Sequence, residues 1–450
     1  MISIRARWFL LAIWVGLRAS SLLADDHYWP HWRGPLGTGV APTGNPPVVW
    51  DDRDGKNIRW KTPLPGLGHS TPIIWKDRIF LTSAVPFGPP LKPRISKAPG
   101  AHDNLPVTSR QRFVVIALDR QDGEVLWQFQ AHEALPHEGH HETASFASNS
   151  AVTDGERVFA FFGSHGLYCL DWNGKELWRA DLGKMQPLHG HGEASSPVLG
   201  DGLVVVNWDH EGESFVVALD QETGRERWRV PRDEVTSWAS PIIVEHEGRR
   251  QVIVTGTKRV RGYDLTDGTV LWECGGMSSN IVASPVYSGG MLFTGSSYEK
   301  RILLALRLEG ARGDITGTRH VAWTRQRGTP YVPSPLLYDE ALYFLGHYQP
   351  VLSRVDVRTG EDRPSPMRLQ GLDDIYASPV AAAGRVYVTD RFGTTLVLRH
   401  ADAPEVLATN RLDDHFSASG AIVGDELFLR GHKALYCLAE PSPRAASDAD

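Results

Sequence analysis

Short apolar runs, each introduced by small polar residues, recur along the whole chain. Ser195-Ser-Pro-Val-Leu and Ala283-Ser-Pro-Val-Tyr are two of eight such patches. At the proline or its equivalent they stand at positions 72, 150, 197, 241, 285, 335, 379 and 420, so the steps are 78, 47, 44, 44, 50, 44 and 41 residues. A period in the mid-forties with strand-like contents predicts a propeller.

Each repeat is predicted to contain four strands. After the Ser-Pro strand, a turn such as Asp201-Gly202 leads to a second apolar strand. The third strand ends in Asp, as in Val216-Val-Ala-Leu-Asp220, and the fourth follows a tight turn and carries Trp, as in Thr223-Gly-Arg-Glu-Arg-Trp228. An aromatic ring covers a large flat area, so we interpret the recurring Trp as packing between neighbouring blades. Repeats six and seven lack this Trp, and their blades are expected to be the least regular.

The two ends of the chain complement each other. The last repeat stops after its third strand, at Tyr436-Cys-Leu438, whereas Asp54-Gly-Lys-Asn-Ile-Arg-Trp60-Lys is a fourth strand without a repeat before it. Pairing the two would close the ring and remove exposed sheet edges. The predicted fold is all-β, a single eight-bladed β-propeller of four-stranded antiparallel blades, closed by the N-terminal strand.

The N-terminal residues predict export. Residues 1–24 carry Arg5 and Arg7, then an apolar stretch from Trp8 to Leu17 and small residues, which is typical of a cleavable signal peptide. We therefore expect a secreted, periplasmic or cell-envelope protein without a transmembrane segment; an uncleaved N-terminal anchor is the alternative. Residues 25–47 are then an N-terminal extension, 48–440 the propeller and 441–450 a disordered tail. The net charge of −6 does not suggest nucleic acid as a partner.

The motifs quoted above, together with Trp29-Pro-His-Trp-Arg-Gly-Pro35, resemble the pyrroloquinoline-quinone-like (PQQ-like) propeller repeat family, in particular its secreted planctomycete-type members. The resemblance spans roughly residues 28–440. It implies an eight-bladed propeller that is either a quinoprotein dehydrogenase or a non-catalytic relative similar to the outer-membrane assembly scaffold. The dehydrogenases carry adjacent cysteines over the quinone and a Glu, Asn and Asp set that holds calcium. Here Cys169, Cys274 and Cys437 are far apart and no calcium set can be assigned, so no cofactor is expected, PQQ with calcium being the alternative.

Functional residues of a propeller gather at the central funnel, where the loops before the innermost strands converge. Aromatic, imidazole and polar groups there could bind a sugar, a peptide or a planar ligand, or could plug the channel and bind trapped water. The funnel candidates are His69, Phe146, His191, Glu193, Trp238, Asn280, Tyr331, Tyr376 and His415. Imidazole and carboxylate groups in two histidine-rich segments could alternatively hold a metal or form flexible polar loops. The metal candidates are His189, His191, Glu193, His140 and His141.

The long first step contains a Pro-rich and basic insertion, residues 85–112, predicted to be a surface loop that clasps a partner, covers one end of the funnel or is passive. The sequence favours a non-catalytic binding or scaffold module for a protein or cell-envelope polymer, and it assigns no catalytic residue. A divergent quinoprotein oxidoreductase and a metal-dependent hydrolase or lyase with its site in the funnel are the alternatives. We expect a monomer.

Overall fold

Among the described residues, the strands form eight antiparallel blades of four strands each, as predicted. The computed structural model describes residues 26–346, 349–364 and 366–441. The predicted signal peptide and the predicted tail beyond residue 441 lie outside these residues. In the part of the chain that is described, no helix has the length and apolarity that crossing a membrane would need.

The strands of the first four blades follow one another from the central axis outwards. Blade 1 contains Ile73–Trp75, Arg78–Phe87, Arg110–Asp119 and Val125–Ala134; blade 2 contains Val152–Thr153, Arg157–Phe161, Leu167–Asp171 and Glu176–Ala180. Blade 3 contains Val198–Gly200, Leu203–Trp208, Phe215–Asp220 and Glu226–Pro231. Blade 4 contains Ile242–His246, Arg249–Thr255, Arg259–Asp264 and Val270–Gly275, with Gly313–Asp314 added in parallel to its outer edge.

The remaining blades repeat this order, and the last uses both ends of the propeller. Blade 5 contains Val286–Ser288, Met291–Ser296, Ile302–Arg307 and Val321–Arg325; blade 6 contains Leu336–Tyr338, Ala341–Leu345, Val351–Asp356 and Met367–Arg368. Blade 7 contains Val380–Ala382, Arg385–Thr389, Thr394–Arg399 and Val406–Arg411; blade 8 contains Ala421–Val423, Glu426–Arg430, Ala434–Leu438 and, from the N-terminal side, Ile58–Pro63.

Ring closure follows the predicted pairing. Trp60 lies opposite Cys437 and Lys61 lies opposite Tyr436 in an antiparallel pair.

The expectation that blades 6 and 7 are the least regular is only half right. The outermost strand of blade 6 is reduced to Met367–Arg368, whereas that of blade 7 has six residues, Val406–Arg411.

The apolar core is divided into sectors between the faces of adjacent blades. Phe80 and Val115 of blade 1, for example, pack with Val158 and Ala160 of blade 2.

The three cysteines are free thiols and lie buried in the propeller, as small apolar side chains often do. Burial raises the pKa of the Cys169 thiol to about 12, so the thiol stays protonated at neutral pH.

The first insertion is shorter than its sequence suggests. Val85–Phe87 and Arg110–Arg112 were expected to belong to a loop, but they continue two paired strands. The Arg112 guanidinium lies 4.4 Å from the centre of the Phe87 ring, a cation–π contact at the end of this strand pair. The loop itself therefore covers residues 88–109, and within it Asn104–Leu105 forms a two-stranded ribbon with His140–His141.

Residues 29–45 cross the end of the channel where the innermost strands finish. Trp29 pairs with Ile74 of blade 1, and the Thr153 amide of blade 2 donates to the Pro30 carbonyl. Further along, Val40 pairs with Ala381 of blade 7, and the Asn45 amide donates to Gly424 of blade 8. We call residues 29–45 the plug, because they close this end of the ring.

Arg33 joins the plug to two blades from inside the protein. Its side chain is 1% exposed and donates to the carbonyls of Pro335 at 2.7 Å and Pro379 at 3.1 Å. Burial lowers the pKa of Arg33 to about 9. The guanidinium is thus stabilised by backbone dipoles of blades 6 and 7.

Candidate functional site

A cavity of about 400 Å³ occupies the centre of the ring on the side opposite the plug. Trp32 of the plug lines it, so the cavity is closed at its far end, and we call it the cup. Two features of the fold build the cup, the plug as its floor and the loops before the innermost strands as its wall.

The serine of the Ser-Pro motif forms a ring inside the cup. The backbone amide of Ser240 donates to the Oγ of Ser284 in the next blade at 2.8 Å, and the Ser284 amide donates to Ser334 Oγ at 2.8 Å. Seven such bonds pass from blade to blade, through Thr71, Ser150, Ser196, Ser240, Ser284, Ser334, Ser378 and Ser419. All eight residues line the cup, and we call them the serine ring.

Aromatic side chains occupy the wall formed by blades 4 to 7. The Trp238 indole N–H donates to the Gly192 carbonyl at 2.9 Å, which fixes the orientation of the ring. Tyr298 is 39% exposed, and its ring stacks on Tyr331 with 6.1 Å between centroids and 13° between planes. Tyr376 completes this wall, and Arg391 covers it at 5.1 Å from the centre of the ring.

Imidazoles occupy the opposite wall. His191 lies with its ring centroid 4.7 Å from His102 and 4.8 Å from His141. Its Nε2 is 3.2 Å from the His102 carbonyl. Burial, followed by the nearby His141 and His102, lowers the pKa of His191 to about 4, so this imidazole is neutral at pH 7.

A second group of imidazoles starts at His69 on the cup wall. The Nε2 atoms of His69 and His432 lie 3.3 Å apart, so one ring donates and the other accepts. His415 stacks on His432 with 5.6 Å between centroids. Burial and the adjacent His432 hold the pKa of His69 well below its usual range.

The insertion supplies part of the mouth of the cup. His102 and Asp103 line the cup, and the Asn104 side chain donates to the His189 carbonyl at 2.7 Å. The Glu142 amide donates to the Asp103 carbonyl at 2.8 Å. Residues 88–109 are therefore anchored on both histidine-rich segments and form a wall of the site.

Most, but not all, of the funnel candidates lie in the cup. The cup is lined by the funnel candidates His69, His191, Trp238, Asn280, Tyr331 and Tyr376, and by the metal candidate His141. The remaining candidates lie elsewhere: Phe146, His140 and Glu193 line a separate cavity of about 30 Å³, His189 contacts the insertion and His415 stands behind His432.

Glu193 is held in this smaller cavity by hydrogen bonds. Its carboxylate accepts from the Ser164 amide at 2.5 Å and from the Ser164 hydroxyl at 2.6 Å, and it lies 3.6 Å from His137. Burial raises the pKa of Glu193. These bonds attach residues 163–165 of blade 2 to the segment that follows His191, which is a positioning role.

The predicted metal candidates are not assembled as one set of ligands. Within residues 26–346, 349–364 and 366–441, no group of three or more His, Cys, Asp or Glu side chains is arranged to hold a metal ion. His191 and His141 line the cup, whereas His140 and Glu193 belong to the smaller cavity. A metal site at these residues stays a prediction.

Three parts of the cup were not predicted from the sequence. The serine ring could have been recognised, because its serine is the most constant residue of the repeat. Trp32 stands in the quoted N-terminal motif, but nothing local shows that this segment crosses the ring. Tyr298 and the pair His102 and Asp103 lie in loops without a repeat signal, and only the tertiary structure brings them to the mouth.

Comparisons with known proteins identify the fold. A family model described as outer membrane protein assembly factor BamB matches residues 37–171, 111–365 and 212–439. BamB from Moraxella catarrhalis is similar in structure, with 14% identity, a TM-score of 0.52, and coverage of 81% of this chain and 98% of the other. A europium-containing methanol dehydrogenase has 10% identity and a TM-score of 0.64, covering 92% and 91% of the two chains. No curated protein matches by sequence.

The resemblance to the PQQ-like family raises the question whether the cup holds the quinone PQQ. The residues that line the cup do not fit this cofactor. This quinone carries several carboxylates, and a buried polyanion needs cations or many charged partners. No Lys or Arg stands among the described residues that line the cup, and Asp103 adds a negative charge. The three cysteines lie buried in blades 2, 4 and 8 and not against the cup.

Proposed function

This chain belongs to the PQQ-like propeller family whose matching model is that of the outer membrane protein assembly factor BamB, and we propose that it is a non-catalytic binding module of the periplasm or cell envelope. Its ligand is a protein or a cell-envelope polymer that enters the cup. The predicted signal peptide supports export. The closed cup, with aromatic rings on one wall and a ring of hydroxyls inside, is the observation that carries the proposal.

The shape of the cup favours binding over transport through the ring. The plug closes the far end, so a ligand enters and leaves by the same mouth. The wall is held by bonds between blades, and a preformed wall lowers the entropic cost of binding. The insertion and the loops around the mouth add surface for the rest of a large ligand.

Filling the cup tests this function. Val282 and Val332 line the cup and are half-buried, so Val282→Phe with Val332→Phe narrows it. Val49→Phe makes the same exchange at a position 41% exposed on the surface. The three proteins are incubated with solubilised envelope of the producing bacterium, and the retained material is identified and weighed by mass spectrometry.

We expect the wild type and Val49→Phe to retain the same component to saturation, and the doubly substituted protein to retain at least about tenfold less, a loss of roughly 1.4 kcal/mol. The retained component is expected to keep its mass during long incubation. A change of mass with time would establish turnover and contradict a non-catalytic role. Equal retention by the filled cup, or no retention by the wild type, would reject the cup as the binding site.

A further inference from the structure

The serine ring presents hydrogen-bond donors to the cup. Each of seven serine Oγ atoms accepts a backbone N–H from the preceding blade, and a serine hydroxyl that accepts still has its own hydrogen to donate. These hydroxyls line the cup and belong to residues linked from blade to blade around the axis. A ligand that reaches them therefore needs many acceptors in a small volume.

Amide and hydroxyl oxygens beside the ring add unused hydrogen-bonding capacity. Asn149 and Asn280 line the cup and are 4% exposed, and their Oδ1 atoms have no hydrogen-bond partner in the described structure. The Oγ of Ser195, which is 3% exposed and also lines the cup, has none either. Buried polar atoms without partners are costly, and a ligand or water that supplies both donors and acceptors would relieve that cost.

The aromatic wall faces this polar ring. Tyr298 exposes more than a third of its surface, and Trp238 is held by its bond to Gly192, so both present ring area at a low entropic cost. A ligand with an apolar face and a rim of hydroxyls matches a wall of rings next to a ring of hydroxyls. Sugar rings have these two surfaces.

The charges around the cup favour a neutral ligand over an anionic one. Asp103 is the carboxylate of the lining, and no Lys or Arg is found among the lining residues that the structure describes. Arg391, the cation next to the aromatic wall, lies over Tyr376 and is paired with Asp374 at 2.8 Å. Burial lowers the pKa of His69 and of His191, so these two imidazoles are neutral at pH 7 and add no positive charge to the wall.

We infer that the cup binds a neutral sugar unit at the end of an envelope glycan, with the sugar face on Tyr298 and Trp238 and its hydroxyls on the serine ring. The inference rests on the proposed binding function and specifies its ligand. A chain end fits better than the middle of a polymer, because Trp32 and the plug leave no exit at the far end.

Binding of defined oligosaccharides to the full exported chain tests the inference. The protein is first applied to an array of neutral and acidic bacterial glycans. Cellotriose, maltotriose, N,N′-diacetylchitobiose, a galacturonic acid disaccharide, the free quinone and a tyrosine-containing tripeptide are then titrated and followed by calorimetry. We expect a neutral saccharide to bind, and Tyr298→Ala to raise its Kd by about tenfold through loss of a ring contact.

Leu126→Ala is the matched control, since Leu126 is 43% exposed on the outer edge of blade 1 and far from the cup. Its Kd is expected to equal that of the wild type. Binding of only the acidic disaccharide, the quinone or the tripeptide would overturn the inference, as would a Tyr298→Ala variant with unchanged Kd or an array without a neutral hit. Each of these results could occur while the envelope component is still retained, so the failure of this inference is distinct from failure of the binding function.

Discussion

In seven of the eight repeats, a single serine connects neighbouring blades at the centre of the molecule. Its Oγ accepts the amide of the corresponding residue in the preceding blade, as Ser284 accepts from Ser240 at 2.8 Å. The two residues are 44 positions apart, and both are buried, so the bond satisfies an amide that has no strand partner at this point. In six repeats a proline follows this position and directly precedes the innermost strand, where a missing N–H is tolerated.

Removal of one hydroxyl from the serine ring is expected to lower stability. In Ser284→Ala the Ser240 amide loses its acceptor, and a buried donor without a partner costs about 1–3 kcal/mol. The measurement is the free energy of unfolding in urea. Ser288→Ala is the control, because Ser288 is exposed in the same blade and its loss is expected to stay within about 0.5 kcal/mol. Equal effects of the two substitutions would show that the ring bond does not contribute.

Between elements, the recurring Trp links the outer strand of one blade to a turn of the next. The Trp178 indole N–H donates to the Gln221 carbonyl at 2.9 Å, and the ring lies on Gly224 in the turn of blade 3. The same contact joins Trp60 with Gly123, Trp127 with Gly174, Trp228 with Gly268 and Trp323 with Gly360. The predicted packing between blades is thus confirmed at five junctions.

Blade 4 departs from this pattern. The Trp272 indole N–H donates to the Gln251 side chain of its own blade at 2.7 Å. Gly313–Asp314, from the enlarged loop of blade 5, pairs with the outer strand beside it. The enlarged loop of blade 5 therefore takes the place of the usual contact between a Trp ring and a glycine. It also covers part of the outer edge of blade 4.

A methyl group at Gly224 is expected to disrupt the junction between blades 2 and 3, where the Trp178 ring lies on this glycine. Its Cβ would lie 2.6 Å from the Trp178 ring, and Gly224 has a φ of +68°. Gly202→Ala is the control, because Gly202 has a φ of +75° but no atom within 4 Å of a Cβ. Gly202→Ala should cost about 1–2 kcal/mol for the backbone alone. Gly224→Ala should cost about 1–3 kcal/mol more from overpacking, measured by denaturant unfolding. Equal losses would exclude a packing role of the ring.

For the whole molecule, the N-terminal residues have two separate tasks. Ile58–Pro63 completes blade 8, and the plug closes the channel through contacts with several blades and through the buried Arg33. Because both tasks depend on residues that precede the first repeat, the ring and the cup are completed by the same stretch of chain.

We expect the full chain to be a monomer and a chain that starts at residue 64 to associate. Without Ile58–Pro63, the strand Ala434–Leu438 has an unpaired edge, and free edges promote association. Light scattering after size-exclusion chromatography measures the mass. A chain that starts at residue 28 keeps the plug and the closing strand and should remain monomeric. A monomer of unchanged melting temperature after the longer deletion would contradict closure by this strand.

The period of the repeat, the turn dipeptides and the unpaired strands at the two ends determined the fold by themselves, because each blade is a local unit and its contacts recur at constant sequence spacing. The same constancy predicted which loops converge, and hence His69, Trp238, Asn280, Tyr331 and Tyr376 in the cup. Only the tertiary structure decided how the site is completed. The floor at Trp32 and the mouth at His102 and Tyr298 come from segments outside the repeat pattern, and their positions depend on contacts between blades that are distant in the sequence.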